Sequence, residues 1–521
     1  MTTDTALLAR PRSSVKPTLM FSFERLLDEL LDLAEGDEAT PRSLEIAVWG
    51  RVLPLIRALL TVVWGTLCRR SSEADIARRG LTEDKFTPRM GQDYWVTRKS
   101  TAGPVPVPLF AYREHRELSS TTHSPARTEV FPLHGRVRSS ELLLEWENRL
   151  GSRMPFREAE ELLGVLTHGA VHVEDNTINA HMTAIGAVID SAWLYRPPEQ
   201  IRVILRDQAA RNFETGQPII YVSSDAHALR QLVNETWEAA WKMANGLRLW
   251  CIDRRTGAVI HLGGEYTWGD CQEVRSIFEQ LRASGHLPAG GDYGEGVVAS
   301  VSVVMDGLEW LREHVLALFG DGIAILDAQH ARNHLRDYAA ALWGRGTRRA
   351  NAFLNKAYKV MLGRHRRPRK PQQRTRKGHK KQPAHVTQAR KVAAMKRRKL
   401  ENTYAAEPLL ALLADVNVPA GKSDEHDALV SYIEKNADRM DYAGYAARGY
   451  QLGSGAMESL HRTASQIRIK RPGPGWLKET SQAVFNLRML DIVGRWDEFW
   501  DQQGLTQLLG QAFDLARVAH A

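Results

Sequence analysis

Three aspartates and one glutamate carry the chemistry this chain could perform. Asp225 closes the apolar run 218–224, Asp306 closes the run 298–305, and Asp327 closes the run 323–326. Glu458 follows Gly453-Ser454-Gly455, a flexible entry to a helix on which Glu458, His461 or Arg462, Ser465 and Arg468 recur at spacings of three and four and so share a face. Carboxylates converging on one point can hold two divalent cations about 3.5–4 Å apart, which activates an attacking oxygen and steadies a leaving one at a phosphodiester. A single strand-end aspartate often only caps the following helix. The set, in one strand order, says more than any member.

The elements that must position these residues begin at Gln217, where the texture becomes α/β. Apolar periodicity predicts strands at 218–224, 247–253 and 257–263, a helix at 269–284, a strand at 298–305, a helix at 307–318, a strand at 323–326 and a helix at 328–343. Three meander strands followed by helix-connected parallel strands is the RNase H-like order, a mixed five-stranded sheet arranged 3-2-1-4-5. Ligands of such open sheets bind beyond the carboxyl ends of the strands. In this order the strands ending at Asp225 and Asp306 are neighbours, about 4.8 Å apart, and Asp327 lies roughly twice as far from Asp225. Metal ligation is expected on Asp225, Asp306 and Glu458, with Asp327 as the competing second aspartate.

At 521 residues the chain should form roughly three domains. We divide it into a helical region with an irregular connector (1–137), a helix-turn-helix-like region (138–200), the first part of the α/β core (210–345), a basic and helical insertion (346–448), and the second part of the core with the Glu458 helix and C-terminal helices (449–521). The three cysteines, Cys68, Cys251 and Cys271, are far apart, which excludes a disulfide scaffold and a cysteine-based zinc site. Residues 1–16 lack the apolar core of a secretory leader, and the apolar stretch 46–67 is interrupted by Arg51, Pro54 and Arg57. A cytoplasmic protein without a membrane span is expected.

The net charge of +9 is concentrated: residues 364–399 hold sixteen Lys or Arg and no Asp or Glu, so the remainder is net acidic. Arg364, Arg366, Arg367, Arg369 and Lys370 open this run, and Gly363, Pro368, Pro371 and Pro383 keep it extended enough to follow a phosphate backbone. A solvated linker is the plainer alternative. Upstream, a helix from Phe156, a break at Thr167-His168-Gly169 and a second helix capped by Asp175 have the layout of a helix-turn-helix. Asn176, Thr177, Asn179 and His181 would then face base edges in a major groove. An ordinary helical hairpin would read the same way.

Asp225 in Tyr-Val-Ser-Ser-Asp, Asp306 in Met-Asp-Gly-Leu-Glu-Trp, Asp327-Ala-Gln-His330 and Gly453-Ser-Gly-Ala-Met-Glu458 resemble the DDE transposases of bacterial insertion sequences, in particular the ISKra group related to Mutator-like transposases. Arg468-Ile-Lys470-Arg471, Trp476, Asn486-Leu-Arg488 and Gly494-Arg-Trp-Asp-Glu-Phe499 extend the likeness, which runs from about Arg157 to Trp500. The resemblance implies an RNase H-like nuclease core with a helical insertion ahead of the glutamate. It implies two Mg²⁺ ions, replaceable by Mn²⁺, and binding of terminal inverted repeats and target DNA by a homodimer or higher oligomer. Asp327 and His330 match the family's Asp-x-x-His signature as accessory residues, and Arg462, Arg468, Lys470 and Arg471 join the DNA-binding set. Ala226 stands where relatives usually have Gly, and the paired N-terminal cysteines of some relatives are absent, so no zinc ribbon is expected. The rivals to an active transposase are a DNA-binding protein without catalysis and, less well supported, a non-specific RNase H-like nuclease.

Overall fold

Residues 219–224 are apolar or small and buried without interruption, the pattern of a strand covered on both faces. They open the central strand of a mixed five-stranded sheet in the computed structural model, which describes residues 12–36, 39–89, 91–115, 120–131, 137–232, 238–307, 316–319, 322–363, 405–471 and 475–519. The basic run, including Arg364, Arg366, Arg367, Arg369 and Lys370, lies outside the described residues, as does most of the helix expected at 307–318. The chain divides into two compact units, Met1–Ile189 with Asp497–Ala521, and Asp190–Trp496.

In the first unit, α1 (Arg12–Ala34) packs on α2 (Pro41–Arg78), which a capping box between Thr40 and Ser43 opens. The segment 80–137, whose sequence reads as a loosely structured connector or a small β element, builds small antiparallel sheets: β1 (Phe86–Arg89) with β4 (Ala111–His115) and β5 (Ser120–His123), and β2 (Trp95–Ser100) with β3 (Gly103–Pro108). Their shortness and prolines hid the period from the sequence. Asp75 ties α2 to β4, accepting from Tyr112 Oη at 2.5 Å and Arg79 Nε at 2.9 Å. Three helices follow, α3 (Glu141–Gly151), α4 (Phe156–Leu166) and α5 (Asp175–Ala187), around Leu143, Ala159, Leu163, Val171, Val173 and Ile178.

In the second unit, β6 (Ile219–Leu232) pairs antiparallel with β7 (Ala239–Ile252), and β7 with β8 (Val259–Thr267). After helix α6 (Cys271–Ala283) come β9 (Ser300–Met305), parallel to β6, and β10 (Ile323–Leu326), parallel to β9. The hydrogen-bonded neighbours run β10-β9-β6-β7-β8. Helices α7 (Ala328–Trp343), α8 (Arg348–Met361), α9 (Ala406–Ala414) and α10 (Ser423–Lys435) join the sheet residues Ile219, Tyr221, Val304 and Ile325 in one apolar core.

The expected strand 218–224 is only the first half of β6. It continues through Asp225 to Leu232, because Ala226–Leu232 keeps pairing with the far half of β7 after β9 has ended. That stretch mixes apolar residues with His227, Arg230 and Gln231 and is mostly half-exposed, so no continuous buried run betrayed it.

Candidate active site

The sheet forks where the chemistry was expected. β6 pairs with β9 as far as Val222 opposite Val303, while its pairing with β7 runs on, so Asp225 borders an open edge. Asp225 and Asp306 each stand three residues past that last pair, and Asp327 follows Leu326, which pairs with Met305. The three aspartates thus occupy one register row: Asp306 and Asp327 just past the carboxyl ends of β9 and β10, and Asp225 midway along β6, beyond where its pairing with β9 stops. A β-carbon at Gly307 would meet Leu326, Asn436 and Tyr432, and its φ of 98° is one that side chains disfavour. Glycine lets the chain turn immediately after Asp306.

The row is not uniform. Asp327 is only 3% exposed and caps α7, its Oδ1 accepting the Gln329 N–H at 2.5 Å and the His330 N–H at 3.2 Å. Its Oδ2 accepts the Ser454 N–H at 2.8 Å and the Ser454 hydroxyl. Four donors occupy this carboxylate. It clasps the loop that leads into α11 (Gly455–Leu460), the helix of Glu458. Asp225 is more open, with a 30% exposed side chain that accepts from the Ala226 N–H at 2.8 Å and lies 3.2 Å from His461 Nε2.

His461 begins a π-helical turn, His461–Gln466, directly after α11. Such turns are frequent at functional sites. The ring is buried, with Tyr266 Oη 2.9 Å from its Nδ1. Burial pushes the Tyr266 phenol well above its ordinary range, so it keeps its proton and donates to Nδ1. That leaves an Nε2–H aimed at Asp225. Beside it His227 lies 2.6 Å from the Ser465 hydroxyl, and burial, then the His461 ring, push it down to about 3, so it is neutral at pH 7.

The approach of α11 to the sheet depends on Gly246, the residue opposite Asp225 in the β6–β7 ladder. A β-carbon there would stand 2.6 Å from Met457 Cε and 3.0 Å from His461 Cε1. From the same strand the buried Arg248, pushed down to about 10 by burial, donates to the Ala456 carbonyl of α11. On the other side α12 (Lys478–Val493) supplies Arg488, whose guanidinium donates at 2.9 Å to the Thr463 carbonyl within the π turn. The Glu458 helix is therefore held at its entry by Asp327, along its length by Arg248, and after its end by Asp225 and Arg488.

Glu458 itself is exposed, and among the described residues no three His, Cys, Asp or Glu side chains form a group that could hold a metal ion. The carboxylates of the row are oxygen donors of the kind hard divalent cations prefer. Beside Asp306 and Asp327, whose charges add to burial in raising the Tyr432 phenol, the Tyr432 hydroxyl is buried without a partner among the described residues. The third corner is not gathered to them.

His330 donates its backbone N–H to Asp327, and its ring nitrogen lies 3.2 Å from that of His334, which stacks on Tyr432. Arg462, Lys470 and Arg471 are exposed, whereas Arg468 is buried with its guanidinium 4.4 Å from the Trp476 ring centroid.

In the first unit Asn176 is exposed, and Thr177 and Asn179 are half-buried at the start of α5. Asp175 is not the cap: Glu174 holds that position and Asp175 is the first helical residue. His181 is turned inward, its Nδ1 2.5 Å from the fully buried Glu147 and its ring against Phe513, so it cannot face a groove.

No family model and no curated protein matches this chain. His461 was visible in the sequence as part of a helical stripe. Its partners Asp225 and Tyr266 lie 236 and 195 residues away, and of the residues around it Tyr266, Arg248, Gly246 and Tyr432 belong to no motif of the sequence.

Proposed function

We propose that this chain is a DDE-type transposase with an RNase H-like core, binding the terminal inverted repeats of its element and cutting and joining DNA. The single observation that carries this reading is the row of Asp225, Asp306 and Asp327 at a sheet fork, with the Glu458 helix clasped to both ends of that row. The neighbour order β10-β9-β6-β7-β8 supports the RNase H-like reading, being the order 3-2-1-4-5 taken from the other edge.

Divalent ions, when bound, would supply activation of the attacking oxygen and charge stabilisation of the leaving one. Asp225 and Asp306 would hold them, and Glu458 would complete the set as α11 closes on the row. The water oxygen attacks phosphorus in line and the bond to the 3′ oxygen breaks, leaving a 5′-phosphate and a 3′ oxygen that takes up a proton; the resulting 3′-hydroxyl can attack a target phosphodiester, forming a new P–O bond as the target's own bond from phosphorus to its 3′ oxygen breaks. His461 keeps Asp225 oriented through its Nε2–H. Asp327, saturated with four donors, positions the glutamate helix, which favours Asp306 as the second ligand.

A second reading, a catalytically inactive or domesticated transposase acting as a DNA-binding protein, draws on the exposed, ungathered Glu458. The test is Mg²⁺-dependent nicking of DNA carrying the inverted repeats that flank the gene. We expect cleavage by the wild type and none by Asp225→Asn, Asp306→Asn or Glu458→Gln, with repeat binding retained. Repeat binding without cleavage by the wild type would select the second reading.

A further inference from the structure

The last turn of α10, in the helical insertion, lies against the turn that carries Asp306. A β-carbon at Gly307 would stand 3.5 Å from Tyr432 Cε2 and 3.5 Å from Asn436 Oδ1, so the ring edge beside the Tyr432 hydroxyl borders the residue after Asp306. On the residue before it, Met305 Sδ accepts from the buried Arg439 guanidinium at 3.2 Å. Arg439 also donates to Asn436 Oδ1 at 2.7 Å, and Asn436 Nδ2 donates to the Tyr432 backbone carbonyl at 2.7 Å. One hydrogen-bonded chain of three residues thus brackets the second aspartate. The Tyr432 ring is held in turn by its stack on His334 of α7, with centroids 3.9 Å apart.

The ring is fixed, yet its hydroxyl is idle. Tyr432 Oη is buried without a partner among the described residues, in a place where the charges of Asp306 and Asp327 both act on the phenol. A buried hydroxyl without a hydrogen bond destabilises a fold, and a phenylalanine of the same shape would not. A phenol is protonated at neutral pH and can donate. Asp327 is already supplied by the Gln329 and His330 N–H groups and by both donors of Ser454. Asp306 is the neighbouring carboxylate that can use another donor when it turns to a cation.

We propose that Tyr432 is a positioning residue for Asp306: in the cation-loaded enzyme its hydroxyl donates to the Asp306 carboxylate and fixes it on the row. This rests on the reading of Asp306 as a metal ligand. Outer partners of this kind orient a ligating side chain and strengthen its hold on the ion. The helical insertion would then serve the second aspartate as His461 serves the first.

The experiment is calorimetric titration of the full chain with Mn²⁺ in the absence of DNA, together with thermal unfolding in the absence of the ion. Tyr432→Phe keeps the ring, its stack on His334 and its contact at Gly307, and removes only the hydroxyl. It should weaken Mn²⁺ binding about 10–100-fold, while unfolding without the ion at the wild-type temperature or above it. Added to Asp306→Asn, it should weaken binding no further. Tyr442→Phe removes a second buried hydroxyl of the insertion that has no partner among the described residues, and should bind Mn²⁺ as the wild type does. Unchanged Mn²⁺ affinity in Tyr432→Phe overturns the proposal, even if cleavage falls. So does an equal loss in Tyr442→Phe, which would trace the effect to packing of the insertion. Failure of the underlying reading looks different: a wild type that binds no Mn²⁺, or an affinity that survives Asp306→Asn, removes the ligand and the proposal with it.

Discussion

The carboxylate edge of the sheet and the start of α5 are both polar sites, but they are built differently. At the sheet edge the side chains are fixed by partners far away in sequence: Asp327 by Ser454, Asp225 by His461, His461 by Tyr266. At the start of α5, Asn176 is exposed, while Asn179 accepts a long 3.4 Å hydrogen bond from Thr183. A site that performs chemistry must be preorganised to a fraction of an ångström, whereas a site that reads an external surface must leave its donors and acceptors free. The two regions should therefore fail differently when altered.

The largest expected effect separates two aspartates of one row. Asp306→Asn should abolish metal-dependent cleavage and leave DNA binding nearly unchanged. Asp327→Asn should destabilise the fold by about 1–3 kcal/mol, because its amide N–H would face the Ser454 N–H and leave buried donors unpaired. Full cleavage by Asp306→Asn, with loss in a stably folded Asp327→Asn, would exchange their roles.

Next comes the basic run. Replacing Arg364, Arg366, Arg367, Arg369 and Lys370 with Gln should weaken binding to any DNA sequence by a similar factor. It should also flatten the log–log salt dependence by about one for each lost phosphate contact. Salt titrations that superimpose on the wild type would make the run a linker.

A smaller effect is expected behind Asp225. His461→Gln removes the hydrogen bond and should lower Mn²⁺ affinity and cleavage by about 10–100-fold, without altering binding of uncut DNA. Tyr266→Phe should shift both in the same direction by less. Calorimetry with Mn²⁺ reads this independently of cleavage, and unchanged affinity in His461→Gln would reduce the contact to packing.

What could be read from the sequence follows the same division. β9, β10 and α7 were legible almost to the residue, because continuous apolar runs and a strand-end aspartate leave little choice. The far half of β6 was not, since the hairpin it forms with β7 is half-exposed. The four carboxylates announced themselves by position. The network that holds them did not, because a tyrosine, a histidine and a glycine acquire meaning only when strands distant in sequence lie side by side. Conversely, His181 stands among the polar residues near the start of its helix, and only the structure shows it turned onto the buried Glu147.

The smallest effect concerns α5, where the comparison can be broken from the other side. Glu174 and Asp175 place two carboxylates at the helix start, where phosphate would be repelled, so affinity there must come from base edges rather than from the backbone. Asn176, exposed, is free to pair with adenine, whereas Asn179 would first have to give up its bond to Thr183. Asn176→Ala should therefore reduce the preference for the terminal repeat over random DNA by about 1–3 kcal/mol, and Asn179→Ala by less. Cleavage of precut DNA should persist in both. Glu174→Gln with Asp175→Asn should raise binding to all sequences and so narrow the ratio from the non-specific side. Competition binding at fixed salt measures each ratio. If the ratio holds in Asn176→Ala, α5 belongs to a plain helical unit and base reading lies elsewhere in the chain.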